Sequence, residues 1–436
     1  MYRELINDLI KWKEKPSRKP LIIRGARQVG KTWIMKEFGK TQYKKSYYVN
    51  FDNNDIVKTI FDKNISPSYL IPNLELYFGE KINPSESLLI FDEIQETPRA
   101  LTSLKYFCEE APEYNIICAG SLLGVALHEG TSFPVGKVEF LDLYPLSFTE
   151  FLRAVGKEQF ADLIYECSFD SITTFKDIYI SALKNYYYIG GMPEVVSDFA
   201  QSGDYNKARE IQRRILDSYE QDLSKHAPVE IIPRIRMIWN SIPAQLSKEN
   251  KKFIYGIIKE GARAKDFELA LLWLCDCGLV YKVSRVTTPH IPLKAYEDFR
   301  AFKLFVVDVG LLSCMVSLES STLVNGDVLF SEFKGALTEQ YAAQQMMIQK
   351  DVDVYYWTND RGNAEVDFIA GVFGKPVPVE VKAETNLKAK SLKTFREKFS
   401  PDVSVRLSMA DFKIDDGLVN LPLYSAEVLS KVVSMI

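Results

Sequence analysis

The stretch Gly25-Ala26-Arg27-Gln28-Val29-Gly30-Lys31-Thr32 decides the fold of the first part of this chain. Glycines let such a loop wrap around phosphate oxygens, so that backbone N–H groups and the start of the next helix point at the anion. Lys31 is expected to reach the β- and γ-phosphates of a nucleoside triphosphate, and Thr32 to ligate Mg²⁺ through its hydroxyl. Every residue of the stretch, from Gly25 to Thr32, is therefore predicted to bind nucleotide.

A second motif, Ser87-Leu88-Leu89-Ile90-Phe91-Asp92-Glu93, is an apolar strand that ends in two adjacent carboxylates. Asp92 is expected to hold Mg²⁺, and Glu93 to polarise the attacking water as a general base. Helix caps and turns use the same residue types, so the Asp-Glu pair indicates a nucleotide site only because the phosphate loop precedes it. Together the two motifs predict ATP binding and ATP hydrolysis.

Several other polar residues are candidates for the surroundings of the phosphates. Ser121 lies just past the apolar strand Asn115–Ala119, where it either senses the γ-phosphate or caps a helix. Arg27, Arg99 and Lys137 are candidate cationic partners of the phosphates, although each taken alone fits a surface or structural residue better.

Apolar strands alternate with helices through the first 150 residues. Both sides of a parallel sheet are covered by helices, which explains why these strands are apolar throughout. The pattern predicts an α/β fold with a doubly wound parallel sheet, in an ATPase domain of residues 1–150. The predicted strands are Pro20–Arg24, Tyr47–Phe51, Leu88–Phe91, Asn115–Ala119 and Val138–Leu143.

The bulk composition is that of a folded protein with more than one domain. The chain has 436 residues, of which 47% are hydrophobic, and we expect about two to four domains. A net charge of −4 argues against a globally basic nucleic-acid binder, so that any such contact must come from a local patch.

The cysteines and the apolar segments indicate a reducing compartment and no membrane. Six scattered cysteines and three histidines show no spacing typical of a zinc site. The N-terminus lacks a signal-peptide pattern, and the longest apolar stretch, Ile116–Leu127, is too short to span a bilayer. A cytoplasmic location is expected.

Three further segments follow the ATPase domain. We predict a helical lid at residues 151–225, a winged-helix-like segment at 226–287 and a last α/β domain at 288–436. The winged-helix-like segment is rich in basic residues and either binds DNA or mediates packing. Its basic residues are Lys248, Lys251, Lys252, Arg263 and Lys265.

Two neighbouring strands of the last domain carry a second set of charged residues. Asp367 lies in one strand, and Glu380 and Lys382 lie on one face of the next, because side chains alternate along a strand. A hairpin can bring the carboxylates together to hold Mg²⁺ or Mn²⁺, while Lys382 orients or helps to deprotonate the attacking water. Alternating Val-Glu-Val-Lys is also ordinary half-buried strand patterning.

The arrangement of Asp367 with Glu380-x-Lys382 resembles the PD-(D/E)XK nucleases, although the proline of that motif is absent. In these nucleases an acidic residue on a preceding helix often completes the site, and Glu339 is the candidate here. The resemblance therefore implies that residues 288–436 form a restriction-endonuclease-like α/β domain, with a metal site made of Glu339, Asp367 and Glu380.

The series of motifs along the chain resembles the prokaryotic AAA-type ATPases that carry a C-terminal nuclease-like domain of unknown function. One departure is Lys137, where that family more usually has arginine, so no arginine finger is assigned. The motifs that carry the resemblance are the loop at 25–32, Phe91-Asp92-Glu93-Ile94-Gln95, Ala119-Gly120-Ser121, Leu143-Tyr144-Pro145-Leu146-Ser147-Phe148, Gly190-Gly191-Met192-Pro193-Glu194 and Phe302–Leu312.

A predicted helix near the C-terminus, Leu387–Phe399, is strongly basic. It either contacts the phosphate backbone of a nucleic acid or simply presents a solvated face. Its cationic residues are Lys388, Lys390, Lys393, Arg396 and Lys398.

The leading hypothesis is an ATPase, working with ATP and Mg²⁺, that couples its nucleotide state to DNA binding or to metal-dependent cleavage. The alternative is an ATP-dependent switch or scaffold that acts on protein partners through a catalytically silent C-terminal domain. A small-molecule kinase fits less well, because adjacent Asp92 and Glu93 suit water activation. A homo-oligomer is compatible with the sequence, which does not specify one.

Overall fold

The structure is a computed structural model that describes residues 1–120, 134–248, 251–320, 330–359, 364–383 and 390–436. Two compact units are present. The N-terminal unit contains Arg3–Tyr144 and Asp276–Gly278, and the C-terminal unit contains Met1–Tyr2, Pro145–Cys275 and Leu279–Ile436.

The N-terminal unit is built on a five-stranded parallel sheet in the order β2-β3-β4-β1-β5. Its strands are β1 Leu21–Arg24, β2 Lys45–Asn50, β3 Ser87–Asp92, β4 Asn115–Ala119 and β5 Glu139–Asp142. Its described helices are α1 Leu5–Glu14, α2 Lys31–Gln42, α3 Asp55–Lys63, α4 Pro67–Phe78 and α5 Pro98–Glu110.

The central strands of this sheet are buried on both faces. Every residue of β3 and of β4 is buried, as expected for continuous apolar runs inside a helix-covered parallel sheet. Because the strands are parallel, β1, β3 and β4 all end at one edge, where Asp92 lies opposite Ala119. The predicted α/β class with a parallel sheet is confirmed, and this edge positions the phosphate loop.

The first part of the C-terminal unit is helical. Buried side chains on one face of each longer helix supply the contacts that hold the helices together, including Ile211, Ile215 and Tyr219 of the longest one. The helices are α6 Phe148–Ala154, α7 Glu158–Glu166, α8 Phe169–Thr174, α9 Lys176–Ile189, α10 Pro193–Ser202, α11 Tyr205–His226, α12 Ile232–Leu246, α13 Tyr255–Ile258 and α14 Ala264–Asp276.

An eight-stranded mixed sheet forms the rest of this unit, in the order β12-β13-β11-β10-β9-β8-β6-β7. Its strands are β6 Val280–Val286, β7 Glu297–Val306, β8 Val352–Thr358, β9 Glu365–Val372, β10 Lys375–Val381, β11 Ser404–Ser408, β12 Lys413–Asp415 and β13 Leu418–Pro422. The accompanying helices are α15 Val309–Met315, α16 Phe330–Met347, α17 Lys390–Phe399 and α18 Leu429–Ser434.

The strand of the predicted winged-helix-like segment belongs to this sheet. β6 pairs antiparallel with β7 and parallel with β8. The predicted domain boundary at residue 287 therefore lies in the connection between two strands that pair with each other. The division of the chain at residues 150, 225 and 287 stays a prediction. Among the described residues, no helix combines the length and the apolar character needed to cross a membrane.

Candidate functional site

The phosphate loop connects the end of β1 to the start of α2, as the motif requires. Gly25, Gln28 and Gly30 adopt positive φ angles of 144°, 66° and 95°. A Cβ atom on Gly25 would come 2.1 Å from the carbonyl oxygen of Leu143, so only glycine fits there. The residues of the loop thus form a tight turn that ends at the N-terminus of α2.

The Lys31 side chain is buried and folds back on its own loop. Its Nζ atom donates to the carbonyl oxygens of Gly25 at 2.8 Å and of Ala26 at 2.7 Å. Burial lowers the pKa of Lys31 to about 8, although the carboxylates of Glu93 and Asp92 oppose that shift. A triphosphate would offer this ammonium group stronger acceptors than the two carbonyl oxygens.

Thr32 and Asp92 are in direct contact at the edge of the sheet. Thr32 Oγ1 donates to Asp92 Oδ2 at 2.6 Å, and the Tyr48 hydroxyl donates to the same oxygen at 2.9 Å. Burial and the neighbouring Asp92 raise the pKa of Tyr48 well above its ordinary value, which keeps the phenol protonated. A hydroxyl beside a carboxylate is an oxygen donor set that fits Mg²⁺.

Glu93 follows the strand in an unusual backbone conformation. Its φ and ψ angles of 50° and 43° lie in the left-handed region, which costs a non-glycine residue about 1 kcal/mol. Gln95 Nε2 donates to Glu93 Oε2 at 2.6 Å. The turn and this hydrogen bond hold the Glu93 carboxylate immediately beyond Asp92.

The other candidate phosphate contacts have identifiable partners or lie elsewhere. Arg99 Nε donates to the carbonyl oxygen of Phe61 at 3.1 Å, and Lys137 Nζ forms an ion pair with Glu109 at 2.9 Å. Arg27 is half-buried in the loop itself. Ser121 lies outside the described residues.

The C-terminal unit brings the second set of charged residues together. β9 and β10 pair antiparallel, with Phe368 opposite Val379, so that Asp367 comes beside Glu380 and Val381. The backbone N–H of Val381 donates to Asp367 Oδ2 at 2.8 Å, and Lys382 Nζ lies 2.7 Å from Glu380 Oε1. Glu339, on α16, joins them through two lysines described next.

Two lysines outside the predicted motif complete the cluster. Lys303 on β7 is fully buried, with Nζ 2.5 Å from Glu365 Oε1 and 3.7 Å from Glu339 Oε2. Lys251 forms a close ion pair with Glu339 Oε1. We name these seven residues the acidic cluster, which holds four carboxylates and three ammonium groups: Lys251, Lys303, Glu339, Glu365, Asp367, Glu380 and Lys382.

The carboxylates of the acidic cluster differ in their proton affinity. Burial, Glu339 and Glu380 together raise the pKa of Asp367 well above its ordinary value. Burial also raises the pKa of Glu380, against the opposing effect of Lys382. Burial alone would raise the pKa of Glu339, but Lys251 and Lys303 outweigh it and lower that pKa.

The acidic cluster fits a divalent cation in its donor atoms. Glu339 Oε2 and Glu380 Oε2 are buried and accept no hydrogen bond, and such carboxylate oxygens are the ligands that Mg²⁺ and Mn²⁺ prefer. In the part of the chain that the structure describes, however, no three His, Cys, Asp or Glu side chains are already arranged to hold a metal ion. Lysine nitrogens occupy part of the space between the carboxylates.

Three family models match successive parts of the chain. Residues 17–152 match the AAA domain, residues 180–322 match a domain of unknown function, DUF8612, and residues 334–425 match another, DUF4143. The first match coincides with the parallel sheet and the phosphate loop. The N-terminal unit therefore contains an AAA-type P-loop domain. No curated protein matches the sequence significantly.

Solved structures share a low overall similarity with the chain. The Walker-type ATPase PABY2304 of Pyrococcus abyssi has a TM-score of 0.45 and 13% identity, over 72% of this chain and 95% of that one. The ORC1 protein of Aeropyrum pernix in complex with DNA has a TM-score of 0.28 and 12% sequence identity, over 72% of this chain and 91% of that one. Drosophila ORC bound to DNA has a TM-score of 0.25 and 13% sequence identity, over 74% of this chain and 94% of that one. Scores this low carry no conclusion about function.

Sequence reasoning missed Tyr48 beside the AAA domain's Asp92, and it missed Lys303 in the acidic cluster. Tyr48 carries no local signal, because it lies in an ordinary strand that only the sheet order places next to β3. Lys303 does carry one: it is the single charged residue in the apolar run Ala301–Val307. A lysine in such a run must be paired when it is buried, which could have pointed to a carboxylate partner.

Proposed function

We propose that the AAA domain binds and hydrolyses ATP with Mg²⁺, and that the nucleotide state controls the binding or cleavage of nucleic acid by the C-terminal unit. The single observation that carries the first half is the convergence of Lys31, Thr32, Asp92 and Glu93 at one edge of the parallel sheet. That edge is where ligands bind in open α/β folds.

Each of these residues has a distinct role in the proposed hydrolysis. Lys31 leaves the carbonyl oxygens of its loop and neutralises charge on the β- and γ-phosphates. Thr32 and Asp92 hold Mg²⁺, which when bound stabilises the charge that develops on the phosphate oxygens. Glu93, held by Gln95, orients and deprotonates the water that attacks the γ-phosphate. Tyr48 keeps Asp92 in place.

The acidic cluster is the proposed second site. Asp367, Glu380 and Glu339 would hold Mg²⁺ or Mn²⁺, and Lys382 would orient the attacking water. The support is that one buried oxygen of Glu339 and one of Glu380 accept no hydrogen bond and lie near the Asp367 carboxylate. Buried carboxylate oxygens without partners are costly, and a bound cation would satisfy them.

The basic helix α17 supports a nucleic-acid ligand. Leu392 and Phe395 are buried against the sheet, whereas Lys390, Lys393 and Lys398 are exposed. Exposed lysines along one helix face are suited to contact with a phosphate backbone. Of the two remaining basic candidates, Arg396 is half-buried and lies 3.7 Å from the Asp416 carboxylate, and Lys388 lies outside the described residues.

The alternative function is an ATP-dependent switch or scaffold with a silent C-terminal unit, acting on protein partners. A specific observation favours it: Lys251, Lys303 and Lys382 already pair with the carboxylates that a metal ion would need. In this case the lysines are permanent counter-ions, and the acidic cluster is a structural ion-pair network.

ATP turnover tests the first half of the proposal. We expect Lys31→Ala to lose ATP binding, and Glu93→Gln to keep binding while turnover falls at least 100-fold, because only the general base is removed. Lys40→Ala, in the last turn of the same helix, is the matched control and should behave as wild type. Turnover by Glu93→Gln at the wild-type rate would refute the assignment of the base.

Cleavage of plasmid and single-stranded DNA tests the second half. The assay compares Mg²⁺ with Mn²⁺, with and without ATP, and it includes Asp367→Asn, Lys31→Ala and the exposed β8 variant Asp353→Asn as a control. An ATPase-linked nuclease is supported if Asp367→Asn alone abolishes cleavage and if cleavage by Lys31→Ala no longer depends on ATP. Absence of wild-type cleavage under every condition favours the switch or scaffold.

A further inference from the structure

The two lysines that sequence reasoning did not place in the acidic cluster are held very differently. Lys303 has a fully buried side chain, lies between Glu339 and Glu365, and faces the rings of Tyr356 and Phe368 at 5.0 and 5.8 Å. None of its side chain is exposed to solvent. Lys303 is therefore a permanent internal cation.

Lys251 lies on a segment that belongs to no helix or strand. Its side chain is 12% exposed, and Glu339 is its one ion-pair partner among the described residues. Phe253, two residues further on, anchors the segment: its N–H donates to the carbonyl oxygen of Phe302 at 2.8 Å, and the two rings stack with centroids 5.3 Å apart. This anchor explains why Lys251 reaches Glu339 from outside the sheet.

Glu339 is thus shared between a fixed and a movable ammonium group. Its Oε1 atom is taken by Lys251, whereas its buried Oε2 atom accepts no hydrogen bond and lies 3.7 Å from Lys303. A divalent cation that used Glu339 as a ligand would lie close to the Lys251 ammonium. Two cations that compete for one buried carboxylate exclude each other, since their repulsion is poorly screened there.

We propose that Lys251 is a tethered competitor of the divalent cation: it occupies Glu339 until the metal ion displaces it. This inference rests on the proposed metal site of the acidic cluster. Displacement needs only a rotation of the Lys251 side chain into solvent, because the backbone remains held at Phe253. The same lysine therefore sets the affinity of the site for metal and keeps the buried Glu339 charge paired when metal is absent.

Binding of Mn²⁺ to the full-length protein without nucleotide, followed by the electron paramagnetic resonance of free Mn²⁺, tests this proposal. We expect Lys251→Met to bind Mn²⁺ at least tenfold more tightly than wild type. Lys251→Arg keeps the charge and should bind as weakly as wild type, and Lys252→Met is the neighbouring control. Adding Glu339→Gln to Lys251→Met should abolish the gain.

Thermal unfolding gives a second readout that needs no activity. Without metal, Lys251→Met should melt below wild type, because Glu339 loses a partner, and Mn²⁺ should raise its melting temperature by more than it raises that of wild type. If Lys251→Met does not fold, the same melting temperatures are measured for Lys251→Gln instead.

The outcomes separate the two proposals. Equal or weaker Mn²⁺ binding by Lys251→Met, together with measurable wild-type binding, overturns the competition and leaves the metal site standing. Absence of Mn²⁺ binding in wild type and in both uncharged Lys251 variants overturns the metal site itself, and the competition with it.

Discussion

Lys31 illustrates how burial sets the charge of a single side chain. With a pKa of about 8, caused mainly by desolvation, its amine loses the proton well below the pH at which an exposed lysine does. Bound phosphate favours the charged form, so ATP binding above pH 8 must be accompanied by proton uptake. Under the proposed function, the affinity of the loop for ATP is therefore linked to pH.

We predict that the Kd for ATP is nearly constant between pH 7 and about 8 and then rises, approaching tenfold for each further pH unit. Isothermal titration calorimetry in two buffers of different ionisation enthalpy measures both the Kd and the protons taken up. Lys31→Arg keeps its charge throughout this range, so any binding that it retains should lack the pH dependence. A constant wild-type Kd up to pH 9.5 would contradict the prediction.

The junction between α9 and α10 shows what holds helices together in the C-terminal unit. Asp308 caps α15 by accepting from the N–H of Leu311 at 3.0 Å, and it also accepts from the N–H of Gly191 at 2.6 Å. Gly190 has a φ of 72°, and a Cβ atom there would come 2.1 Å from Asp308 Oδ1. The buried Asp308 carboxylate therefore leaves no space for a side chain at Gly190. The local sequence around Gly190 and Gly191 does not show this, because Asp308 is distant along the chain.

We predict that Gly190→Ala destabilises the C-terminal unit by about 2–4 kcal/mol, because its φ of 72° and ψ of −163° suit only glycine and the added Cβ clashes with the buried Asp308 carboxylate. Gly203→Ala is the comparison at an ordinary left-handed cap: its φ and ψ are 65° and 11°, and no atom lies within 4 Å of the added Cβ. The control should cost about 1 kcal/mol. Chemical denaturation measures both losses, and equal values would contradict an added cost from the backbone conformation and the clash at Gly190.

At the scale of the whole molecule, Glu427 joins parts of the chain that are 278 residues apart. Its carboxylate accepts from the N–H of Thr149 at 3.0 Å and from the Thr149 hydroxyl at 2.8 Å, at the start of α6. Ser147 and Glu150 form a capping box on the same turn. Burial raises the pKa of Glu427 to about 7, so ionisation of this group opposes folding.

We predict that Glu427 makes the C-terminal unit less stable as the pH rises. Because the folded pKa lies above the ordinary value of 4.5, its contribution is complete below pH 4.5 and is lost as the pH passes through 7. Relative to Glu427→Gln, wild type should lose up to roughly 3 kcal/mol between pH 4.5 and 8. Urea unfolding of both proteins across this range gives the difference, and parallel pH profiles would rule the effect out.

Local patterns account for the features that were predicted correctly. Within the loop at 25–32, and within the strand at 87–92, the candidate site residues lie a few positions apart along the chain, so their placement follows from backbone conformation and from the strand-to-helix order. The same holds for Asp367 and Glu380, which are joined by a tight hairpin between β9 and β10. In each case short sequence separation makes the neighbours unambiguous.

The sequence by itself determined the AAA-type nucleotide loop, the parallel sheet around it and the pairing of the β9 and β10 charges. Only the tertiary structure decided that Tyr48 meets Asp92, 44 residues away, and that Lys251 meets Glu339, 88 residues away. The physical reason is that these contacts depend on strand order and on the packing of a non-regular segment. A buried charge needs a partner that lies next to it in three dimensions. The alternation of side chains along one strand does not show which distant residue that partner is.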